Sequence, residues 1–309
     1  MNVDLKSPVT PQLAKRRLTP FQSAARRFTP ENAIFLSAAA IGAYKKSEDE
    51  WNEQLFPAHG FTNINYSAPN KKSAEFLLLE SRYALIVAFK GTKEVRDWIT
   101  NIVTRFRETS PGRFHYGFWD SLGSVWKKRD KLSATIEHAH RSGKHIWLTG
   151  HSLGGALAVL AGVRCHQQGI PIKSVHTFGQ PLVTTKDFPT RYPTLNERIV
   201  RFQAARDLVP LIPPRGLVKP RTNFRKGRNR TGHYESYYPG IGTMIYLDAS
   251  GDCIPGAPER SPEKAFKKDW KQSILAKLTH TVPYHAMDRY HHCAFKNRRK
   301  LNDLQIGPW

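Results

Sequence analysis

The run HIWLT at 145–149, then Gly150-His151-Ser152-Leu153-Gly154, then Gly155-Ala156-Leu157-Ala158, leaves this chain few folds to choose from. An apolar β-run enters a G-x-S-x-G turn and a helix of small residues leaves it, which is the strand, sharp turn and helix of a nucleophile elbow. The serine of such a turn takes a strained backbone conformation. Glycines two residues before and after it let strand and helix close together. Ser152 is therefore expected to hold its Oγ exposed above a sheet. The helix behind it points its N-terminus at the same place, where free N–H groups favour a developing negative charge.

The rest of the chain supplies a matching sheet. Apolar runs at 74–79 and 83–89, separated by Glu80, Ser81 and Arg82, predict a hairpin. Further β-runs lie at 145–149, 174–178, 198–204 and 243–247, with helical patterns at 118–140 and 155–167 between them. Strands alternating with helices imply the α/β class, with a mainly parallel central sheet and helices on both faces. Its central strands should be apolar on both sides, as 84–89 is. Thr29 is placed to cap a helix that starts at Pro30 and runs through 32–44. Residues 1–28, with Pro8, Pro11, Pro20 and the basic pairs Arg16-Arg17 and Arg26-Arg27, read as a loosely held arm. One domain is expected over 29–300, carrying a basic loop at 214–233, with 301–309 as a C-terminal tail.

Composition narrows the partners. Lys and Arg number 48 against 25 Asp and Glu, a net charge of +23, so anionic surfaces should attract the chain. Lys219, Arg221, Arg225, Lys226, Arg228 and Arg230 form a cluster without one acid, and Lys296, Arg298, Arg299 and Lys300 form another. A solvated basic loop and tail is the plain reading. An anionic phospholipid surface is the functional one, and nucleic acid is the weaker expectation. Cys165, Cys253 and Cys293 are odd in number and lack C-x-x-C spacing, so free thiols are expected rather than a disulfide framework or zinc site. The apolar stretch 33–44 is too short to span a bilayer. The N-terminal residues lack the apolar core of a Sec-type signal, which suggests the cytoplasm or export by another route.

A serine hydroxyl is a weak nucleophile until a base takes its proton, and the base needs a carboxylate to fix its tautomer. Behind an elbow of this kind the chain order is Ser, then Asp or Glu, then His. Asp207, in Arg206-Asp207-Leu208-Val209-Pro210 just past the β-run at 198–204, is the first candidate carboxylate, and Asp187 is the second. Asp288 lies within one helical turn of the candidate base and could not orient it from the opposite side. Thirteen histidines compete for that role. His285 follows a proline-containing turn and precedes a helix, while His280, His291 and His292 are near rivals. His151 adjoins Ser152, yet neighbours in a sharp turn project apart, so packing is its expected role. The oxyanion needs preformed donors. The Leu153 N–H is one. Thr92, after the β-run ending at Phe89 and the turn residue Gly91, is the other. Behind it Val95, Trp98, Ile99, Ile102, Val103 and Phe106 recur at helical spacing, as in a core helix or a movable lid with a lipid-facing side.

Five segments in order resemble the fungal-type, class 3 triacylglycerol lipases of the α/β-hydrolase superfamily. They are Val87-Ala88-Phe89-Lys90-Gly91-Thr92 with Asp97-Trp98-Ile99-Thr100-Asn101, His115-Tyr116-Gly117-Phe118, the elbow from Thr149 to Ala156, Arg206-Asp207-Leu208-Val209-Pro210, and His285-Ala286-Met287-Asp288-Arg289-Tyr290. The likeness runs from about residue 28 to residue 295. It implies an α/β-hydrolase fold with a helical lid around Val95, Asp97, Trp98, Ile99 and Ile102. It also implies Ser152 as nucleophile, Asp207 as carboxylate, His285 as base, and Thr92 with Leu153 as oxyanion donors. The implied substrate is a lipid ester such as triacylglycerol at a lipid–water interface, and no metal or organic cofactor is needed. Lys90 stands where arginine is more usual in that family, and the basic stretch 219–230 has no family role. A phospholipase A1 or broad esterase is the alternative within the class. A non-catalytic lipid-surface or nucleic-acid binding module is the alternative outside it.

Overall fold

Strand β3 (Ala84–Phe89) is buried at all six positions, because it has hydrogen-bonded neighbours on both edges and helical layers on both faces. Leu85, Val87 and Phe89 point into one apolar cluster and Ala84, Ile86 and Ala88 into the other, as a period of two requires. The protein is described here from a computed structural model, over residues 18–45, 51–67, 74–92, 106–109, 112–128, 132–212, 240–254 and 285–309. The proposed lid residues Val95, Asp97, Trp98, Ile99 and Ile102, the cluster from Lys219 to Arg230, and His280 lie outside those residues.

Among the described residues β3 belongs to an eight-stranded sheet in the order β1-β2-β3-β6-β7-β8-β9-β10. Its strands are β1 (Asn63–Tyr66), β2 (Phe76–Glu80), β3, β6 (His145–His151), β7 (Ile172–Phe178), β8 (Ile199–Ala204), β9 (Thr243–Leu247) and β10 (Cys253–Ile254). The expected hairpin is β2–β3, antiparallel, and β3, β6, β7, β8 and β9 run parallel. The sheet is thus mainly parallel, as the alternation of runs predicts.

On one face lie α2 (Tyr116–Gly123), α3 (Leu132–Arg141) and α4 (Leu153–Gln167); α1 (Pro30–Gly42) and α7 (Met287–Lys296) cover the other. Helix α1 starts as predicted. Thr29 is its N-cap and accepts a hydrogen bond from the Asn32 N–H. The helix is buried on nearly every side, and its Ala38-Ala39-Ala40 run lets it approach the sheet and α7 closely. Two short helices, α5 (Phe188–Arg191) and α6 (Pro193–Glu197), precede β8, and α8 (Arg298–Asn302) follows α7.

Three expectations differ from the structure. The helical pattern 118–140 is broken between α2 and α3 by a π-turn at Ser124–Lys128. There the Ser124 hydroxyl donates to the Ser121 carbonyl, a local bond that competes with a straight helix. Phe106, read as part of a helical face, starts β4 (Phe106–Thr109), which pairs with β5 (Gly112–His115) in a separate two-stranded ribbon. Residues 18–28 are not loose. Phe21 sits 5.1 Å between ring centroids from both Phe35 and Trp147, and the Phe28 N–H donates to the Ile306 carbonyl at 3.0 Å. The last residues are fixed in the same way, since the Trp309 N–H donates to the Arg26 carbonyl. Few apolar side chains, set without periodicity, anchor both segments, which is why composition alone misread them.

No helix among the described residues is long and apolar enough to cross a membrane. All three cysteines are free and buried. Burial pushes the Cys165 thiol up to about 12 and those of Cys253 and Cys293 to about 11, which suppresses the reactive thiolate. A disulfide-exchange reagent at neutral pH is expected to titrate none of these thiols in native protein and all of them after denaturation. Prompt reaction of the native protein would contradict this burial.

Candidate active site

The site follows from strand register. Phe89 pairs with Gly150 across β3–β6, His151 with Phe178 across β6–β7, and Phe178 with Phe202 across β7–β8. Four parallel strands therefore end in one row. The residues just beyond that row, Gly91 and Thr92, Ser152, Gly179 and Asp207, share the carboxyl edge where open α/β sheets place their sites.

Ser152 links β6 to α4 at φ 57° and ψ −129°, and among the described residues it is the one non-glycine with positive φ. The strain is held by the Ser152 N–H donating to the Phe178 carbonyl and by the Gly155 N–H donating to the Ser152 carbonyl, each at 2.9 Å. The flanking glycines are required by space. A Cβ on Gly150 would overlap the Gly154 backbone, and one on Gly154 would overlap the Phe89 carbonyl. In one respect the elbow departs from expectation, because Ser152 is fully buried rather than exposed. The turn rises between the Gly91 bend and the His285 segment. A Cβ on Gly91 would stand 3.2 Å from that of Ser152.

Asp207 and His285 meet as the chain order predicts. The imidazole Nδ1 lies 2.8 Å from Asp207 Oδ2, with both side chains buried. A carboxylate only accepts, so Nδ1 carries the proton and Nε2 presents its lone pair. Asp207 is itself held. Its Oδ2 accepts from the Tyr290 hydroxyl at 2.6 Å, and its Oδ1 accepts from the Val209 N–H at 2.9 Å. Among the described residues, neither Ser152 Oγ nor His285 Nε2 has a hydrogen-bond partner. A nucleophile and its base would exchange a proton between these two groups, and such a bond commonly tightens only when substrate is bound.

The oxyanion candidates sit on either side of the nucleophile. Leu153 is the first residue of α4, so its N–H lacks an intrahelical acceptor. Thr92 follows Gly91 directly. Lys90, the family departure, is ion-paired with Glu75.

The rival residues lie elsewhere. Asp187 is bound to Thr185 and Arg191 at the start of α5. His291 Nδ1 meets the Ser37 hydroxyl at 2.7 Å, between α7 and α1. His151 does more than pack, since both its ring nitrogens are hydrogen-bonded, to Tyr44 and to the His285 carbonyl. Sequence reasoning missed Tyr44, Tyr290 and this role of His151. The one available signal was Tyr290, which lies in the segment that resembles the family.

Gly179 tests how tightly the acid–base pair is held. Its φ is 59°, and an added Cβ would stand 2.9 Å from both Asp207 Oδ2 and His285 Nδ1. Gly179→Ala is therefore expected to strain the backbone and displace the pair, lowering kcat by about a hundredfold. Turnover of a soluble ester, read beside the thermal midpoint, checks this. Unchanged turnover would mean that the pair has slack.

The family model described as lipase (class 3) matches residues 86–217. A lipase of Rhizomucor miehei is 29% identical over 144 residues, covering 44% of this chain and 39% of that protein. A lipase of Rhizopus niveus is 32% identical over 150 residues, covering 46% and 38%. The chain thus spans about two fifths of the length of the relatives it matches. A solved structure of Rhizomucor miehei lipase in a propeptide complex superimposes with a TM-score of 0.57 at 16% identity, covering 93% of this chain and 94% of that one. At that identity the likeness shows the fold. The elbow and Asp207 thus lie inside the stretch that is similar to the class 3 lipases, and the sheet beneath them has the fold of the solved lipase structure.

Proposed function

We propose that the protein is a serine carboxylester hydrolase acting on acyl esters of lipids, triacylglycerol among them. The observation that carries this reading is the 2.8 Å bond between His285 Nδ1 and Asp207 Oδ2, beside a strained serine at the mouth of a helix. Ser152 Oγ attacks the ester carbonyl carbon while its proton passes to His285 Nε2. The tetrahedral oxyanion is held by the N–H groups of Leu153 and Thr92, the second assisted by the Thr92 hydroxyl. Collapse breaks the bond to the alcohol oxygen, which takes the proton from His285. Water, deprotonated by the same imidazole, then attacks the acyl-enzyme, and the fatty acid leaves with Ser152 Oγ reprotonated. Asp207 stays ionised throughout and favours the imidazolium. The lipases to which the chain is similar support lipid esters as the substrate class.

The charge of +23, including the cluster from Lys219 to Arg230, supports an anionic lipid surface as the place of action. The test is a purified-protein screen of triacylglycerol emulsion, phospholipid vesicles and short soluble esters. Hydrolysis of emulsion and soluble ester is expected, and absence of all ester hydrolysis in folded protein would overturn the reading. Raising ionic strength from ~0.01 to ~0.1 M shortens the screening length from about 30 to about 10 Å. Activity on anionic vesicles should then fall by about tenfold, while a soluble ester is little affected. Equal salt sensitivity on both substrates would remove the anionic surface from the account.

A further inference from the structure

The described active site holds a hydrogen-bonded chain that no step of ester hydrolysis uses. His151 is buried beside the nucleophile, and its ring centroid lies 4.5 Å from that of His285 at a tilt of 35°. Its Nε2 is 2.6 Å from the main-chain carbonyl oxygen of His285. A carbonyl can only accept, so Nε2 bears the proton. Its Nδ1 is 2.9 Å from the Tyr44 hydroxyl. Burial first, and the neighbouring His285 second, hold the His151 pKa well below the ordinary histidine range. The ring is therefore neutral, Nδ1 is a lone pair, and the Tyr44 O–H donates to it. That commits the one proton of the phenol. The hydroxyl also packs against the Gly91 backbone, so closely that a Cβ on Gly91 would overlap it.

The chain has one direction throughout. The Tyr44 O–H gives to His151 Nδ1, and His151 Nε2–H gives to the His285 carbonyl. It joins the elbow to the base segment, and its tyrosine packs against the oxyanion bend. Tyr44, just past the end of α1, brings that helix into the frame as well. None of these groups touches the reacting atoms.

We propose that His151 and Tyr44 are positioning residues, which clamp the His285 segment and the Gly91–Thr92 bend to the elbow so that base, nucleophile and oxyanion donors stay in reacting geometry. This rests on the hydrolase reading above. Loss of such a clamp misplaces groups that must align within fractions of an ångström, so it should appear in kcat rather than KM.

The test compares kcat, KM, thermal midpoint and the rate of fluorophosphonate labelling for the wild type and three variants on a soluble ester. Tyr44→Phe keeps the ring and removes its hydrogen bond to His151; it should lower kcat and labelling rate by about tenfold with KM within about twofold. His151→Leu removes both links and should lower kcat by about a hundredfold. His151→Gln restores a donor at the place of Nε2 and should recover to within about tenfold of wild type. A folded His151→Leu variant with kcat within about threefold of wild type would overturn the proposal, as would a Gln variant no better than Leu. If His151→Leu does not fold, Tyr44→Phe decides alone, and unchanged kcat with a lowered thermal midpoint would assign the chain to stability only. An inactive wild type would instead defeat the hydrolase reading itself.

Discussion

Ser152→Ala is expected to lower kcat on a soluble ester by about four to six orders of magnitude, leaving the rate that binding and the oxyanion donors supply without a nucleophile. Stability should not fall with it. The Ser152 hydroxyl is buried and has no hydrogen-bond partner among the described residues, so its removal relieves an unsatisfied polar group rather than breaking a bond. Steady-state kinetics and a thermal melt on the same preparation separate the two effects. A folded variant with near-normal turnover would show that another group attacks the ester.

Asp207→Asn should be almost as damaging, for a reason visible in the hydrogen bonds. Asp207 Oδ1 accepts from the Val209 N–H, while Oδ2 accepts from both His285 Nδ1 and the Tyr290 hydroxyl. An asparagine that keeps its oxygen toward Val209 turns its amide N–H groups on His285. The imidazole must then carry its proton on Nε2, where it can no longer accept one from Ser152. The flipped asparagine instead sets its N–H groups against that of Val209. Either arrangement loses the base, and a fall in kcat of about ten-thousandfold with little change in KM is expected. Turnover above about a tenth of wild type would place the control of the tautomer elsewhere.

Much of this frame can be read along the chain. The elbow is legible because G-x-S-x-G is local and its flanks change period within a few residues, and the structure shows at Gly150 and Gly154 the steric reason for it. The parallel strands are legible because each is a short β-rich run between helical patterns, β3 being apolar on both faces, and β9 begins and ends where the run 243–247 does. Asp207 is legible because it stands just beyond such a strand. Tyr44, Tyr290 and His151 are different. Their partners lie 107, 83 and 134 residues away in the chain, and nothing in local pattern distinguishes a tyrosine that orients a carboxylate from one that packs. The pairing of 18–28 with the last residues is hidden for the same reason, since it rests on main-chain bonds between opposite ends of the chain. Burial of Ser152 was missed because a turn exposed in isolation can be covered by loops that local sequence does not place there.

The most direct measurement is to treat the folded protein with a fluorophosphonate and find the modified residue by peptide mass spectrometry. One adduct on Ser152 is expected, lost in His285→Ala and greatly slowed in Asp207→Asn. An unlabelled wild type, or a label on a different serine, would mean that these three side chains do not act together.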